Sequence, residues 1–162
     1  MGSTHRFDAV VTWTGNQGTG TSSYRAYSRN HEIGGEGKSA VVAGSSDPAF
    51  RGDKTRYSPE DLLVASLAAC HMLWVLHLCA EAKITVVEYV DSVSGTMTLN
   101  PDGSGQFAEV VLRPRITVVE AGREDDLMAV NKKAHGLCFI ARSVNFPVRH
   151  EPTVVVQNQV IG

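Results

Sequence analysis

Residues 62–80 are apolar around nearly the whole circumference of a helical projection, interrupted by His71 and His77 and thinned by Ala65, Ser66, Ala68 and Ala69. A helix of this kind is predicted to lie at the centre of a globule, with other elements covering it all round. The two histidines, the small residues and the lack of a second span or basic flank argue against a membrane crossing. The start of the helix is well marked. Ser58 is a good N-cap, Pro59 takes the first helical position, and Glu60 and Asp61 put negative charge at the positive end of the dipole. The helix is expected to fade near Ala82 and Lys83.

Alternating positions predict strands at residues 7–13, 22–33 and 39–43, separated by a Gly-rich loop to Gly20 and the turn Gly34-Gly35-Glu36-Gly37. Residues 45–57 hold Pro48, Gly52 and several charges without a clear period, and are read as a loop. Beyond the helix, residues 84–99 and 107–119 predict two long antiparallel strands joined by Asn100-Pro101-Asp102-Gly103-Ser104-Gly105. Helical spacing through Leu127, Val130, Ala134, Leu137 and Cys138 predicts a second helix over residues 123–141, and residues 148–160 a last strand. There is no internal repeat. A group of strands, a buried helix, a hairpin, a helix and a final strand make one α+β domain over residues 1–162 rather than a repeating βαβ array. A chain this short struggles to enclose so apolar a helix alone, so a dimer is expected.

Composition narrows the function classes. With 43% hydrophobic residues in 162 there is enough apolar matter for a core. Lys and Arg number 15 against 17 Asp and Glu, and a net charge of -2 gives no electrostatic reason for a nucleic-acid partner. Residues 1–7 lack the apolar stretch that follows the basic end of a secretory signal, so a cytoplasmic protein is expected. Three cysteines form no even-numbered disulfide framework, and reduced, available thiols fit better.

Cys70 lies well inside the apolar helix among small neighbours that leave room for close approach, and Cys138 lies on the second helix. At about 100° per residue, Cys79 points to the opposite side of its helix from Cys70. Each cysteine also has a plain reading as a small buried hydrophobe, and periodicity alone leaves that alternative open for Cys70 and Cys138.

Ser58-Pro59-Glu60-Asp61-Leu62-Leu63 followed by Ala69-Cys70, and later Ala134-His135 followed by Cys138 and Ser143, resembles the osmotically inducible protein C and organic hydroperoxide resistance (OsmC/Ohr) family. In that family a Pro-Glu pair opens a long central helix, a peroxidatic Cys lies ten residues after the Glu, and a resolving Cys lies on a later helix. Glu60, Cys70 and Cys138 reproduce this order over most of the chain. Two features depart from it: Phe139 stands where Pro commonly follows the second Cys, and His71-Met72-Leu73-Trp74 points to a distinct subgroup.

The resemblance implies an intertwined homodimer in which strands of both copies wrap two central helices. It implies a thiol-dependent peroxidase that reduces organic hydroperoxides to alcohols as part of an antioxidant stress response. Cys70 would form a sulfenic acid and then a disulfide with Cys138, and a dithiol such as a lipoylated protein would reduce it. No bound cofactor or metal is required. A thiol attacks the O–O bond only as thiolate, and burial opposes ionisation, so a fixed cation is needed. In the family this is an Arg positioned by a Glu. Glu60 takes the carboxylate role here; Arg29 is the first choice for the cation and Arg25 the second, with Arg51 and Arg56 also eligible. Phe50, Tyr57, Met72 and Phe139 are the expected apolar lining, and His71 and His77 are expected to be core or capping residues. The alternatives are a non-catalytic redox sensor or ligand-binding relative, and a metal site built from Cys70, His71, His135 and Cys138.

Overall fold

The computed structural model describes residues 2–157. The chain divides into two compact units, Met1–Leu63 and Val64–Gly162.

The first unit carries β1 (Val10–Trp13), β2 (His31–Gly34) and β3 (Val42–Gly44), an antiparallel sheet in the order β1-β2-β3 with Thr12 opposite Glu32 and Glu32 opposite Ala43. All three strands are shorter than their expected ranges, and most of residues 22–33 are not a strand. The Arg29 guanidinium takes the carbonyls of Tyr27 and Tyr24, each at 2.7 Å, so these oxygens serve a side chain instead of a ladder. The alternation that suggested a strand there comes from a loop folded about one arginine. Residues 45–57 form the expected loop, apart from a short 3-10 turn at Pro48–Phe50 capped by the Asp47 carboxylate, which accepts from the Ala49 amide at 2.7 Å.

Helix α1 (Pro59–Glu81) begins as its cap signal predicts. The Ser58 hydroxyl accepts from the Asp61 amide at 3.1 Å and the Asp61 carboxylate accepts from the Ser58 amide at 2.9 Å, a reciprocal pair that satisfies two orphan donors. It ends where expected as well. Lys83 turns left-handed with φ 56°, its amide reaching the Ala80 carbonyl at 3.2 Å while the Ile84 amide reaches that of Cys79 at 2.9 Å. This pair of bonds closes the open carbonyls of the last turn.

In the second unit each expected long strand breaks in two. Residues 84–99 give β4 (Val86–Asp91) and β5 (Ser94–Leu99), and residues 107–119 lie in β6 (Gly105–Leu112) and β7 (Pro114–Val118). The antiparallel pairing is as expected, but β4 pairs with β7 and β5 with β6 in separate sheets. The Asp91 carboxylate accepts the Arg113 amide at 2.7 Å, taking up a donor released at the break. The final segment divides at Pro152, which cannot donate to a ladder. Its halves, β8 (Val148–His150) and β9 (Thr153–Val156), add in parallel to β6 and β7 and give the orders β5-β6-β8 and β4-β7-β9. The expected strand positions 158–160 lie outside the described residues.

Helix α2 (Glu124–Leu137) is shorter than residues 123–141, and Cys138 is its C-cap with extended ψ of 112° rather than a helical residue. From α1, Val75, Leu78 and Cys79 pack with Leu127, Val130 and Ala134 of α2 and with Ile116 and Val118 of β7. A second cluster joins Leu67 and Ala68 to Val110, Leu112 and Val148.

The expectation that α1 is covered all round is not met within one chain. Leu67, Ala68, His71, Val75, Leu78 and Cys79 are buried along one face, whereas Leu73 is 63% exposed. By length and composition α1 could also cross a membrane.

Candidate active site

Cys70 is half-buried and Cys138 is buried at 1% exposure. The structure brings the pair together from α1 and from the end of α2, near enough for Cys70 to act on the Cys138 thiol. Burial first, and then the neighbouring Cys70, push the Cys138 thiol up to about 11, against the backbone amides of Ala141 and Ile140. The Ala141 amide lies 3.4 Å from Sγ. A raised value means that Cys138 keeps its proton. The extended C-cap backbone directs the Cys138 sulfur to this position, a consequence of the helix ending at Leu137.

Cys70 opens onto a cavity of about 560 Å³ lined by Ser66, Ala69, Leu73, Trp74, His77 and Phe139. Trp74 meets Phe139 edge to face at 5.7 Å, so the aromatic wall is built from α1 and the segment after Cys138. Of the expected lining, Phe139 is present and Met72 is not; Phe50 and Tyr57 belong to the first unit. Positions 66, 69, 70, 73, 74 and 77 follow helical spacing, so the stripe around Cys70 was legible as periodicity. Met72 lies off it. His77 is not a core residue: its side chain is 58% exposed and lies 3.4 Å from Glu81. No guanidinium lines this cavity.

Glu60 and Arg29 both line a cavity of the first unit, about 340 Å³, with Trp13, Tyr27, His31 and Ser45. Arg29 is held by its two carbonyl partners and lies over the rings of Tyr24 and Tyr27, 4.3 and 4.1 Å from their centroids. Its plane is therefore set before any ligand arrives. Arg25 does not line the Glu60 cavity. Arg56 is committed elsewhere, to Asp53 at 3.8 Å and the His31 carbonyl at 3.3 Å.

Cys79 packs in the core, where burial lifts its thiol to about 11, in keeping with a structural role. Beside Cys70 in sequence, His71 is fully buried, with Nε2 3.1 Å from Asn131 Oδ1. Its ring stacks on His150 at 5.5 Å, and His150 meets His135 at 5.2 Å. Burial lowers His71 to about 4, the Asn131 bond opposes this, and His150 and His135 add to the lowering. Asn131 and His150 come from other elements, and no sequence spacing pointed to them. Among the described residues no three His, Cys, Asp or Glu side chains converge as a metal site.

Residues 52–153 match the OsmC-like protein family. The chain belongs to that family. An OsmC-like protein of unknown function from Vibrio cholerae is 28% identical, with a TM-score of 0.83 over 93% of this chain and 100% of its own. An organic hydroperoxide resistance protein from Elizabethkingia anophelis is 19% identical, with a TM-score of 0.66 over 97% of this chain and 100% of its own. One from Legionella pneumophila is 18% identical, with a TM-score of 0.65 over 94% and 100%. The last two show a shared fold. No curated protein matches the chain. The α+β fold is thus that of the OsmC/Ohr proteins.

Proposed function

We propose that this OsmC-like protein is a cytoplasmic, thiol-dependent peroxidase that reduces organic hydroperoxides. The observation that carries the reading is the unequal cysteine pair: Cys70 opens to an apolar cavity, while buried Cys138 beside it holds its proton. Relatives of the same fold named organic hydroperoxide resistance proteins support it.

In this mechanism the Cys70 thiolate attacks the outer peroxide oxygen and the O–O bond breaks. The alkoxide takes up a proton and leaves as alcohol, and Cys70 becomes a sulfenic acid. The sulfur of Cys138 then attacks Cys70; the S–O bond breaks, the hydroxyl leaves as water with the Cys138 proton, and a disulfide forms. A dithiol, such as that of a lipoylated protein, reduces the disulfide through a mixed disulfide and is itself oxidised. Thiol, peroxide and dithiol balance every step without a bound cofactor. Leu73, Trp74 and Phe139 would favour an apolar substituent on the peroxide.

Arg29 is assigned the stabilising cation and Glu60 the carboxylate that orients it. Their shared cavity favours Arg29 over Arg25. A homodimer belongs to the same proposal: a second copy would cover the exposed apolar side of α1 that includes Leu73.

The test is steady consumption of cumene hydroperoxide with a dithiol, abolished by Cys70→Ser. Mass spectrometry after one equivalent of peroxide should find a Cys70 to Cys138 bridge with Cys79 free. A single stoichiometric oxidation without recycling would instead make the protein a sensor.

A further inference from the structure

The first unit holds a second, strongly polar cavity of about 290 Å³ of which the proposed thiol chemistry uses only Arg29, and three arginines, Arg25, Arg29 and Arg51, line it together with Gln17, Asn30 and Asp53. A protein of net charge -2 has no general excess of cations to scatter over its surface. The arginines Arg6, Arg56, Arg113, Arg115, Arg123 and Arg149 each lie against a carboxylate. Of the rest, Arg142 reaches only the Gly136 carbonyl at 3.5 Å, and Arg25, Arg29 and Arg51 have no ion pair among the described residues. Three guanidinium groups without ion pairs thus line one hollow, where their mutual repulsion is only partly offset.

The one carboxylate in the wall is committed. Asp53 accepts from the Thr55 amide at 2.9 Å and the Thr55 hydroxyl at 2.7 Å, bonds that hold its carboxyl below the usual carboxylate range and keep it ionised. Its further partners include Arg56 and Asn30. With three positive groups and one negative, the wall carries a net charge of about +2. That matches a dianion better than a singly charged carboxylate.

The donors are also shaped for oxyanions. A guanidinium has five N–H donors in a planar fork, and Arg29 spends one from each terminal nitrogen on Tyr27 and Tyr24. The remaining donors of Arg29 are thereby fixed in direction. Arg51 is carried by a braced loop: its amide reaches the Pro48 carbonyl at 3.0 Å and the Gly52 amide reaches that of Asp47 at 3.1 Å. Gly52 has no alternative, because a Cβ there would lie 1.5 Å from the Ser46 carbonyl oxygen. Several forks around one small polar cavity suit tetrahedral oxygens, each accepting charge-assisted bonds.

We propose that the cavity lined by Arg25, Arg29 and Arg51 binds a phosphate group. The site shares Arg29 with the peroxidase reading, whereas Arg25 and Arg51 line it without lining the Glu60 cavity and so report on it separately. Its occupant is free phosphate or the phosphomonoester of a small molecule.

Calorimetric titration of the full chain in low-salt zwitterionic buffer tests this, with inorganic phosphate, glycerol phosphate and acetate as probes. Phosphate is expected to bind saturably at one site per chain, and acetate at least about tenfold more weakly. Arg51→Gln should weaken phosphate binding at least about tenfold, and Arg25→Gln likewise. Tighter binding of glycerol phosphate than of inorganic phosphate identifies a phosphorylated small molecule; equal or weaker binding identifies the free ion. Both side chains are exposed, and thermal unfolding of each variant checks that the fold is kept. Lack of saturable phosphate binding, acetate binding as tightly, or wild-type affinity in both folded variants would each overturn the proposal.

Discussion

The thiol of Cys138 lies close enough to Cys70 to be raised by it, although the two cysteines are separated along the chain by the four strands β4 to β7 and the whole of α2. One sulfur faces an apolar cavity and the other is sealed at 1% exposure, so they are poised for different roles. An oxidant entering the cavity meets Cys70 first.

Removing the buried thiol separates the two half-reactions. Cys138→Ser should still oxidise once at Cys70, trapping a sulfenic acid that mass spectrometry detects with a dimedone label, while turnover with a dithiol falls to background. Undiminished turnover in this variant would remove Cys138 from the mechanism.

The aromatic wall should set substrate preference. Trp74 and Phe139 meet edge to face at 5.7 Å, and such pairs contribute about 0.5–1.5 kcal/mol beyond their buried area. Trp74→Ala is expected to raise KM for cumene hydroperoxide roughly threefold to tenfold with a smaller change for hydrogen peroxide. Steady-state kinetics on both peroxides checks this, and equal effects on the two would show that the wall does not select.

Acid should loosen the second unit through His71. Its imidazole is lowered from 6.5 to about 4, chiefly by burial. Between these values the unfolded chain binds a proton that the folded chain refuses. Stability present above pH 6.5 is therefore lost as the pH falls towards about 4, by up to about 3 kcal/mol. His150, lowered by burial and by His135, acts in the same direction. Urea midpoints measured across this window should decline in the wild type and decline less in His71→Gln. Parallel declines would place the sensitivity elsewhere.

The partner of His71 should matter at neutral pH too. Asn131 Oδ1 accepts from His71 Nε2–H, and its amide nitrogen donates to the Leu127 carbonyl at 2.8 Å. Asn131→Ala strands a buried imidazole nitrogen and should cost about 1–3 kcal/mol in denaturant unfolding. A loss below about 0.5 kcal/mol would mean that water replaces the amide.

The exposed side of α1 predicts the assembly. Leu73 is 63% exposed within one chain, and a charge there would oppose burial against a second copy. Leu73→Asp should turn a dimer into a monomer in analytical ultracentrifugation. A wild-type monomer would remove the dimer from the proposal.

Local signals were legible where the physics is local. Ser58, Pro59 and Asp61 announced the start of α1 because a cap is made within a few residues, and the loop around Pro48 and Gly52 announced itself by composition. The strands were less legible. Residues 22–33 alternate along the chain, and only the folded loop reveals that the Arg29 guanidinium holds the carbonyls of Tyr24 and Tyr27. Nothing in the alternation of residues 84–99 told that the strand would change sheets after Asp91.

By itself the sequence determined the α+β composition, the long apolar helix, and the identity and spacing of Glu60, Cys70 and Cys138, because caps, periods and motifs depend on near neighbours along the chain. The tertiary structure decided which groups come together: Cys138 with Cys70, Arg29 and Glu60 around one cavity, His71 with Asn131 and His150, and three arginines around another. Such meetings depend on how sheets and helices pack across long loops, and linear spacing carries no record of those distances.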